Sequence, residues 1–180
     1  MWRALSRRTV IVFSMVVFTV ASALVPAADM NEIRIESMHL PAPMVGLGKS
    51  STLRDHRGHW VLLHFWATWC ASCIKELPTL DQLSDRWRDK IEVFAISIDD
   101  SNDSAVDEFV ARSKLMLPVI HRREANTTAS YWNWGVPVTY LIDPNGRIVA
   151  RVLGPCDWAS NAADRMLTGL TLLPVPGQSR

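Results

Sequence analysis

Hydrophobic and polar positions follow two different periods along this chain, and the switches between them mark its elements. Val61 to Trp66, with Trp60 before it, is a mostly apolar, aromatic-ended run that predicts a buried strand over 60–66. From Ala71 the period becomes helical. Ile74, Leu77, Leu80, Leu83 and Trp87 recur at three- and four-residue steps, which predicts a helix running to about Asp89. Pro78 lies inside it and is expected to kink it, because proline removes a hydrogen bond and clashes with the preceding turn. Ile91–Ile98 predicts a second apolar strand that ends at Asp99-Asp100. Asp103 to Leu115 predicts an amphipathic helix with Val106, Phe109 and Val110 inward. Pro118 to Ile120 predicts a short strand, and Ala125 to Trp134 a short helix with an aromatic end. Val138–Ile142 and Arg147–Leu153 flank Asp143-Pro144-Asn145-Gly146, which is a hairpin signal. Asp157 to Leu170 predicts a closing helix with Trp158, Ala162 and Leu167 on its inner face.

Ahead of the central strand, Ile33 and Ile35 alternate with charges and predict a short edge strand, and Pro41-Ala42-Pro43 a stiff connector. Arg57-Gly58 is a turn that starts the central strand. The order β-α-β-α, then a hairpin, then α, predicts an α/β domain with a mixed sheet and helices on both faces.

The N-terminus changes this picture only by adding a leader. Arg3, Arg7 and Arg8 precede an uncharged apolar run from Thr9 to Val25, followed by Pro26-Ala27-Ala28. That is the order of a secretory signal, and the run is also near the lower limit for a membrane span. Residues 1–28 are therefore expected to be a signal peptide or a retained N-terminal membrane anchor, with residues 9–25 in the bilayer in the second case. Residues 29–180 follow as one domain with its core over about 38–170. In either case the positive end stays in the cytoplasm and the domain lies outside, in the periplasm or at the outer face of the inner membrane. Removing the leader's three arginines from the 19 basic residues leaves 16 against 18 acidic, so the domain carries no basic footprint for nucleic acid.

Cys70 and Cys73 supply the candidate chemistry. Three residues apart at the start of a helix, they lie close enough to form a disulfide. The unsatisfied N–H groups and partial positive charge of a helix N-terminus favour a thiolate there, and a thiolate is the nucleophile of disulfide exchange. Structural zinc would want a second ligand pair, and the chain offers only Cys156 and five histidines. Haem attachment would need His directly after the second cysteine, where Ile74 stands.

Phe65-Trp66-Ala67-Thr68-Trp69-Cys70-Ala71-Ser72-Cys73, Lys75-Glu76-Leu77-Pro78 and Gly135-Val136-Pro137-Val138-Thr139-Tyr140-Leu141-Ile142-Asp143 resemble the thioredoxin fold. Within it they resemble the exported TlpA/ResA branch of thiol–disulfide oxidoreductases, over roughly Met38 to Leu170. The resemblance implies that Cys70 is the exposed nucleophile, that Cys73 is the buried resolving thiol, and that the two form a redox-active disulfide. It implies that Trp69 shields the pair and offers an apolar docking face, against the simpler reading of Trp69 as core filling. It implies a cis bond before Pro137, leaving the Val136 backbone free to pair with an extended protein substrate. Glu76, one turn beyond Cys73, is implied to tune the pair or relay the proton that Cys73 loses; the alternative is a solvated surface charge. No cofactor and no metal is expected. The implied partners are protein disulfides and thiols and a membrane electron donor of the DsbD/CcdA kind. The implied direction is reductive, with cytochrome c maturation among the roles.

Two positions depart from the pattern. Thioredoxin has a buried aspartate six residues before its first cysteine, where this chain has His64, read as a neutral hydrogen-bonded core residue or an alternative proton acceptor. Cys156, after Gly154-Pro155, is a third thiol that either joins the substrate groove as an accessory thiol or is a small buried residue. Rival functions on the same fold are a disulfide-introducing oxidase, a copper-binding Sco-like metallochaperone using a histidine such as His121, and a peroxidase. Sco proteins use a wider Cys-x-x-x-Cys pair. Peroxiredoxins place a threonine three residues before their cysteine, where Ala67 stands here.

Overall fold

The computed structural model describes residues 35–42, 45–47, 51–100, 103–127 and 129–172. Six strands form one mixed sheet: β1 (Ile35–Pro41), β2 (Trp60–Trp66), β3 (Ile91–Ser97), β4 (Val119–Ile120), β5 (Val138–Ile142) and β6 (Arg147–Leu153). Their spatial order is β1-β6-β5-β2-β3-β4. β2 sits inside the sheet, parallel to β3 from Trp60↔Ile91 to Trp66↔Ser97 and antiparallel to β5 from Phe65↔Val138 to Val61↔Ile142. Its near-continuous apolar run is what a strand buried on both faces requires. The edge strand β1 pairs antiparallel with β6, and of its two predicted residues Ile35 lies in it while Ile33 is outside the described residues. The leader, 1–28, is likewise outside them. Among the described residues no helix is long and apolar enough to cross a membrane.

The two faces of the sheet hold separate apolar cores. Leu62 and Trp66 of β2 pack with Leu77, Leu80 and Leu83 of helix α1 (Ala71–Trp87), Val106 of α2 (Asp103–Ser113), and Ala163 and Leu167 of α4 (Asn161–Thr171). Val61, Leu63 and Phe65 face the other way, against Val45, Leu47, Leu53, Ala125 and Tyr131. Side chains alternate along a strand, so His64, between Leu62 and Trp66, points into the first core. The second face is closed by short elements: the 3₁₀ turn Leu53–His56, helix α3 (Arg122–Ala125) and the 3₁₀ turn Ala129–Tyr131. Gly46 approaches α3 so closely that its N–H donates to the Ala125 carbonyl at 2.7 Å, and a Cβ there would lie 2.3 Å from the Glu124 oxygen.

Two predicted helices differ from those observed. Instead of Ala125 to Trp134, a single helical turn covers Arg122–Ala125, and Asn126 ends it in the left-handed region at φ 40° with its N–H on the Arg122 carbonyl. Asparagine tolerates that conformation, so the polar residue acts as a stop signal. The closing helix starts at Asn161 rather than Asp157, because the Ser160 hydroxyl accepts the Ala163 N–H at 3.2 Å and caps it there. Trp158 is thereby left in the preceding turn, fully buried, and Ala163 rather than Ala162 faces inward. α1 is assigned helical without a break through Pro78.

Candidate active site

The turn between β2 and α1 is fixed from beneath. Asp99, just past β3, accepts the Thr68 N–H at 3.0 Å and its hydroxyl at 2.6 Å, and also takes the Ser97 hydroxyl at 2.7 Å. Parallel pairing of β2 with β3 brings these residues side by side at the C-terminal ends of both strands. Thr68 is thus a structural hydroxyl.

Cys70 is the N-cap of α1, with extended backbone (φ −92°, ψ 100°). Its sulfur accepts the Cys73 N–H at 3.2 Å and lies 3.4 Å from the Ser72 hydroxyl. An orphan N–H of the first turn therefore already points at the sulfur, as it must to hold a thiolate. Cys70 and Cys73 form a disulfide of 2.11 Å with their Cα atoms 5.3 Å apart. Cys70 is 7 % exposed and Cys73 is 0 % exposed, so Cys70 is the reachable member, though covered more than the word exposed suggests. The cover comes partly from across the sheet, where the Val136 carbonyl lies 3.8 Å from the Cys70 sulfur. The Val136–Pro137 peptide is cis, and the Pro137 carbonyl is occupied by the Gly154 N–H at 3.0 Å.

Trp69 is 68 % exposed, which rules out core filling. A second indole, Trp134, stands 67 % exposed in the segment leading to Val136, with the Arg151 guanidinium 5.0 Å above its ring. In the sequence Trp134 stands only as the aromatic end of the predicted helix Ala125 to Trp134, with no signal that it is exposed.

Behind the disulfide the site is buried and polar. Glu76 is only 3 % exposed, so it is not the solvated surface charge that was the alternative. Burial pushes its carboxyl from 4.5 up to about 8, partly opposed by the Trp158 indole N–H, which donates to Oε1, and by the Cys156 backbone N–H. Oε2 completes no hydrogen bond. At neutral pH this carboxyl holds its proton. His64, fully buried, has Nδ1 2.9 Å from the Thr139 hydroxyl, its partner in the β2–β5 register, and 3.9 Å from Glu76 Oε1. Burial pushes its imidazole down to about 3, so it is neutral, and Nε2 has no partner. Cys156 is buried beside Glu76, and its thiol is pushed up to about 12, first by burial and then by Glu76 and Asp157. It shares with Ser72, Lys75, Glu76 and Thr79 the wall of a cavity of about 510 Å³. His121, the histidine considered for copper, caps α3 and is hydrogen-bonded to Asp107 at 3.0 Å.

Trp158 and Thr139 were missed as site residues. Each supports a buried polar partner, and only the register of β5 and the cap at Ser160 bring them there. ResA, a thiol-disulfide oxidoreductase of Bacillus thuringiensis (strain Al Hakam), is 34 % identical over 108 residues, covering 59 % of this chain and 62 % of ResA. ResA of Oceanobacillus iheyensis is 37 % identical over 103 residues, covering 57 % of this chain and 53 % of that one. The chain thus spans less than two thirds of the length of these curated relatives. A thiol:disulfide interchange protein from Bacteroides sp. superposes with a TM-score of 0.61 at 26 % identity, covering 74 % of this chain and 91 % of the other. The thioredoxin domain of a thiol-disulfide oxidoreductase from Bacteroides vulgatus superposes with a TM-score of 0.59 at 26 % identity, covering 73 % and 98 %. Residues 35–151 match the AhpC/TSA family, and with its thioredoxin fold the chain belongs to that family as a TlpA/ResA-like protein.

Proposed function

We propose that this protein is an exported thiol–disulfide oxidoreductase that reduces disulfides in other proteins. The observation that carries the reading is the Cys70–Cys73 pair at the start of α1, with the Cys73 N–H on the Cys70 sulfur and a buried carboxyl one turn behind. Cys70 attacks a partner disulfide as a thiolate and forms a mixed disulfide. Cys73 then attacks Cys70, the intramolecular bond forms, and the partner leaves reduced. Trp69 gives the partner an apolar platform, and the Val136 backbone at Pro137 pairs with its extended chain.

The reductive direction has a physical argument. An exchange protein is strongly oxidising when its reduced thiolate is strongly stabilised. Here Ala71 and Ser72, between the cysteines, carry no charge that adds to the helix N-terminus in stabilising a thiolate, and the buried carboxyl behind them supplies no positive charge. The basic-then-apolar leader supports export to the periplasm or the outer face of the inner membrane, with residues 9–25 as its anchor if the leader is retained. A reductase in an oxidising compartment needs electrons from across the membrane, which a transporter of the DsbD/CcdA kind supplies, and apocytochrome c thiols are fitting clients. The test is the reduction potential of the pair, equilibrated against dithiothreitol. A value near thioredoxin's, about −270 mV, agrees with a reductase, and one near about −120 mV overturns the direction.

A further inference from the structure

Exposed apolar surface is unevenly placed on this domain. Among the described residues four large apolar side chains stand in solvent: Trp69, Met116, Trp134 and Leu172. Met116 lies between α2 and β4, and Leu172 follows α4. The two indoles instead belong to the two segments that meet at the Cys70 sulfur. Trp69 directly precedes Cys70, and Trp134 is two residues before Val136, whose carbonyl lies 3.8 Å from that sulfur. Two residues of chain span at most about 7 Å between Cα atoms, so the backbone itself ties Trp134 to the rim of the site.

Trp134 is fixed there. The Gly135 N–H donates to the Trp132 carbonyl at 2.9 Å, and Gly135 has φ 93°, a conformation open to glycine, so the chain turns sharply just after the indole. The Arg151 guanidinium lies 5.0 Å from the ring centroid and covers one face. Arg151 is itself nearly buried and is held by the Glu36 carboxylate of β1 and the Tyr140 hydroxyl of β5. An indole anchored in this way has little side-chain freedom left to lose when another group packs on it. Its open face leaves apolar area in water, and covering that area is favourable.

We propose that Trp134 is a specificity-determining residue of the exchange reaction: its open face takes a bulky, uncharged apolar side chain two positions from the attacked cysteine of the partner. Spacing is the first reason. A partner segment extended along Val136, with its cysteine at Cys70, presents every second side chain on one face at steps of about 7 Å, which is the reach from Val136 to Trp134. The chemistry of the ring is the second. An indole face packs well on aromatic rings and aliphatic C–H groups. It also attracts cations, but Arg151 already occupies the opposite face and repels a second positive charge across the ring. The charge of Arg151 is in turn answered by Glu36, which leaves none over for an acidic side chain. Trp134 thereby extends the surface formed by Trp69 and Val136 to the residues that flank the partner's cysteine.

The inference rests on the exchange reaction proposed above, and one experiment separates the two. The reduced full chain is mixed at pH 7 with short peptides whose single cysteine is a mixed disulfide with thionitrobenzoate. They carry Phe, Leu, Gly, Lys or Asp two positions before or two positions after that cysteine. The Cys70 thiolate attacks the peptide sulfur, and thionitrobenzoate, the better leaving group, departs with the electron pair and is read by its absorbance. Each rate is divided by the same protein's rate with the mixed disulfide of mercaptoethanol and thionitrobenzoate, which has no flanking residues. On one side of the cysteine, Phe and Leu are expected to react at least about fivefold faster than Gly, Lys and Asp, the size of one aromatic contact. Trp134→Ala is expected to lose that preference, and Trp134→Phe to keep most of it. A wild type indifferent to the varied residue on both sides, a preference for Lys or Asp, or an apolar preference that survives in Trp134→Ala overturns the assignment. A wild type that releases no thionitrobenzoate from any of these disulfides removes the exchange reading itself.

Discussion

Replacing Glu76 by Gln tests whether burial holds this carboxyl protonated. The carboxyl titrates at about 8 in the folded protein against an ordinary 4.5. Below pH 4.5 both folded and unfolded chains carry the proton, and the group contributes nothing to the pH dependence. Between 4.5 and about 8 the unfolded chain releases it while the folded chain keeps it, so the unfolded state binds fewer protons and stability falls as pH rises. At about 1.36 kcal/mol per unit, the loss is roughly 3 kcal/mol by pH 7 and roughly 5 kcal/mol above pH 8, where the slope ends. Gln keeps the oxygen that accepts the Trp158 N–H and cannot ionise, so Glu76→Gln removes the slope. His64 acts in the opposite sense: its depressed imidazole is lost as stability when pH falls below its unfolded value of about 6.5. That contribution is common to both proteins and cancels in their difference. The assay is urea unfolding of the oxidised protein at pH 4, 7 and 9, with Cys70 and Cys73 locked in their disulfide so that neither titrates. The variant is expected to gain on the wild type by roughly 3 kcal/mol between pH 4 and pH 7. A difference flat to within about 0.5 kcal/mol would mean that the folded carboxyl ionises normally, and the argument from burial would fail.

Cys156→Ser is expected to leave the reduction potential of the pair unchanged, and the native thiol is expected to resist iodoacetamide at pH 8 until the chain is unfolded, because burial holds it protonated. A shift in the potential, or rapid native alkylation, would return Cys156 to the redox cycle. Trp69→Ala is expected to change stability by no more than about 0.5 kcal/mol, since the indole is exposed, and to raise KM for a protein disulfide substrate such as insulin. Asp99→Ala removes the acceptor of both Thr68 hydrogen bonds and is expected to cost about 2 kcal/mol in urea unfolding while leaving the disulfide able to form.

Much of this architecture was legible because the sequence changes period where the structure changes element. The switch from the run ending at Trp66 to the three-four spacing from Ile74 places the cysteines at the start of α1, where Cys70 indeed caps the helix. The turn Asp143–Gly146 was readable for a similar reason: the Asp143 carboxylate takes the backbone N–H groups of Asn145 and Arg147, a local device written in local residues. Boundaries set by a single capping side chain were harder. Asn126 and Ser160 each overrode an apolar pattern that extended past them. The polar interior was least legible of all. Spacing alone does not separate Glu76 the surface charge from Glu76 the buried acid until the side chains around it are placed, and its partner Trp158 lies 82 positions further on. His64 next to Glu76 follows from strand facing and helix facing taken together, and neither is visible in a spacing.

The site divides into two parts with different chemistry, and that division has a measurable consequence. Trp69 stands in solvent, where the proposed docking face lies, whereas Glu76 lies on the buried side of α1, one turn after Cys73. On the proposed mechanism, loss of the first weakens recognition and loss of the second alters a step that follows recognition. Side chains that share no contact and act at different steps contribute independently, to within about 0.5 kcal/mol. The double variant Trp69→Ala, Glu76→Gln is therefore expected to lose the product of the two single-variant factors in kcat/KM for insulin reduction at pH 7. A double variant no worse than the poorer single one would show that the indole and the carboxyl serve the same step. Trp69 would then belong to the electrostatics of the thiol pair rather than to docking.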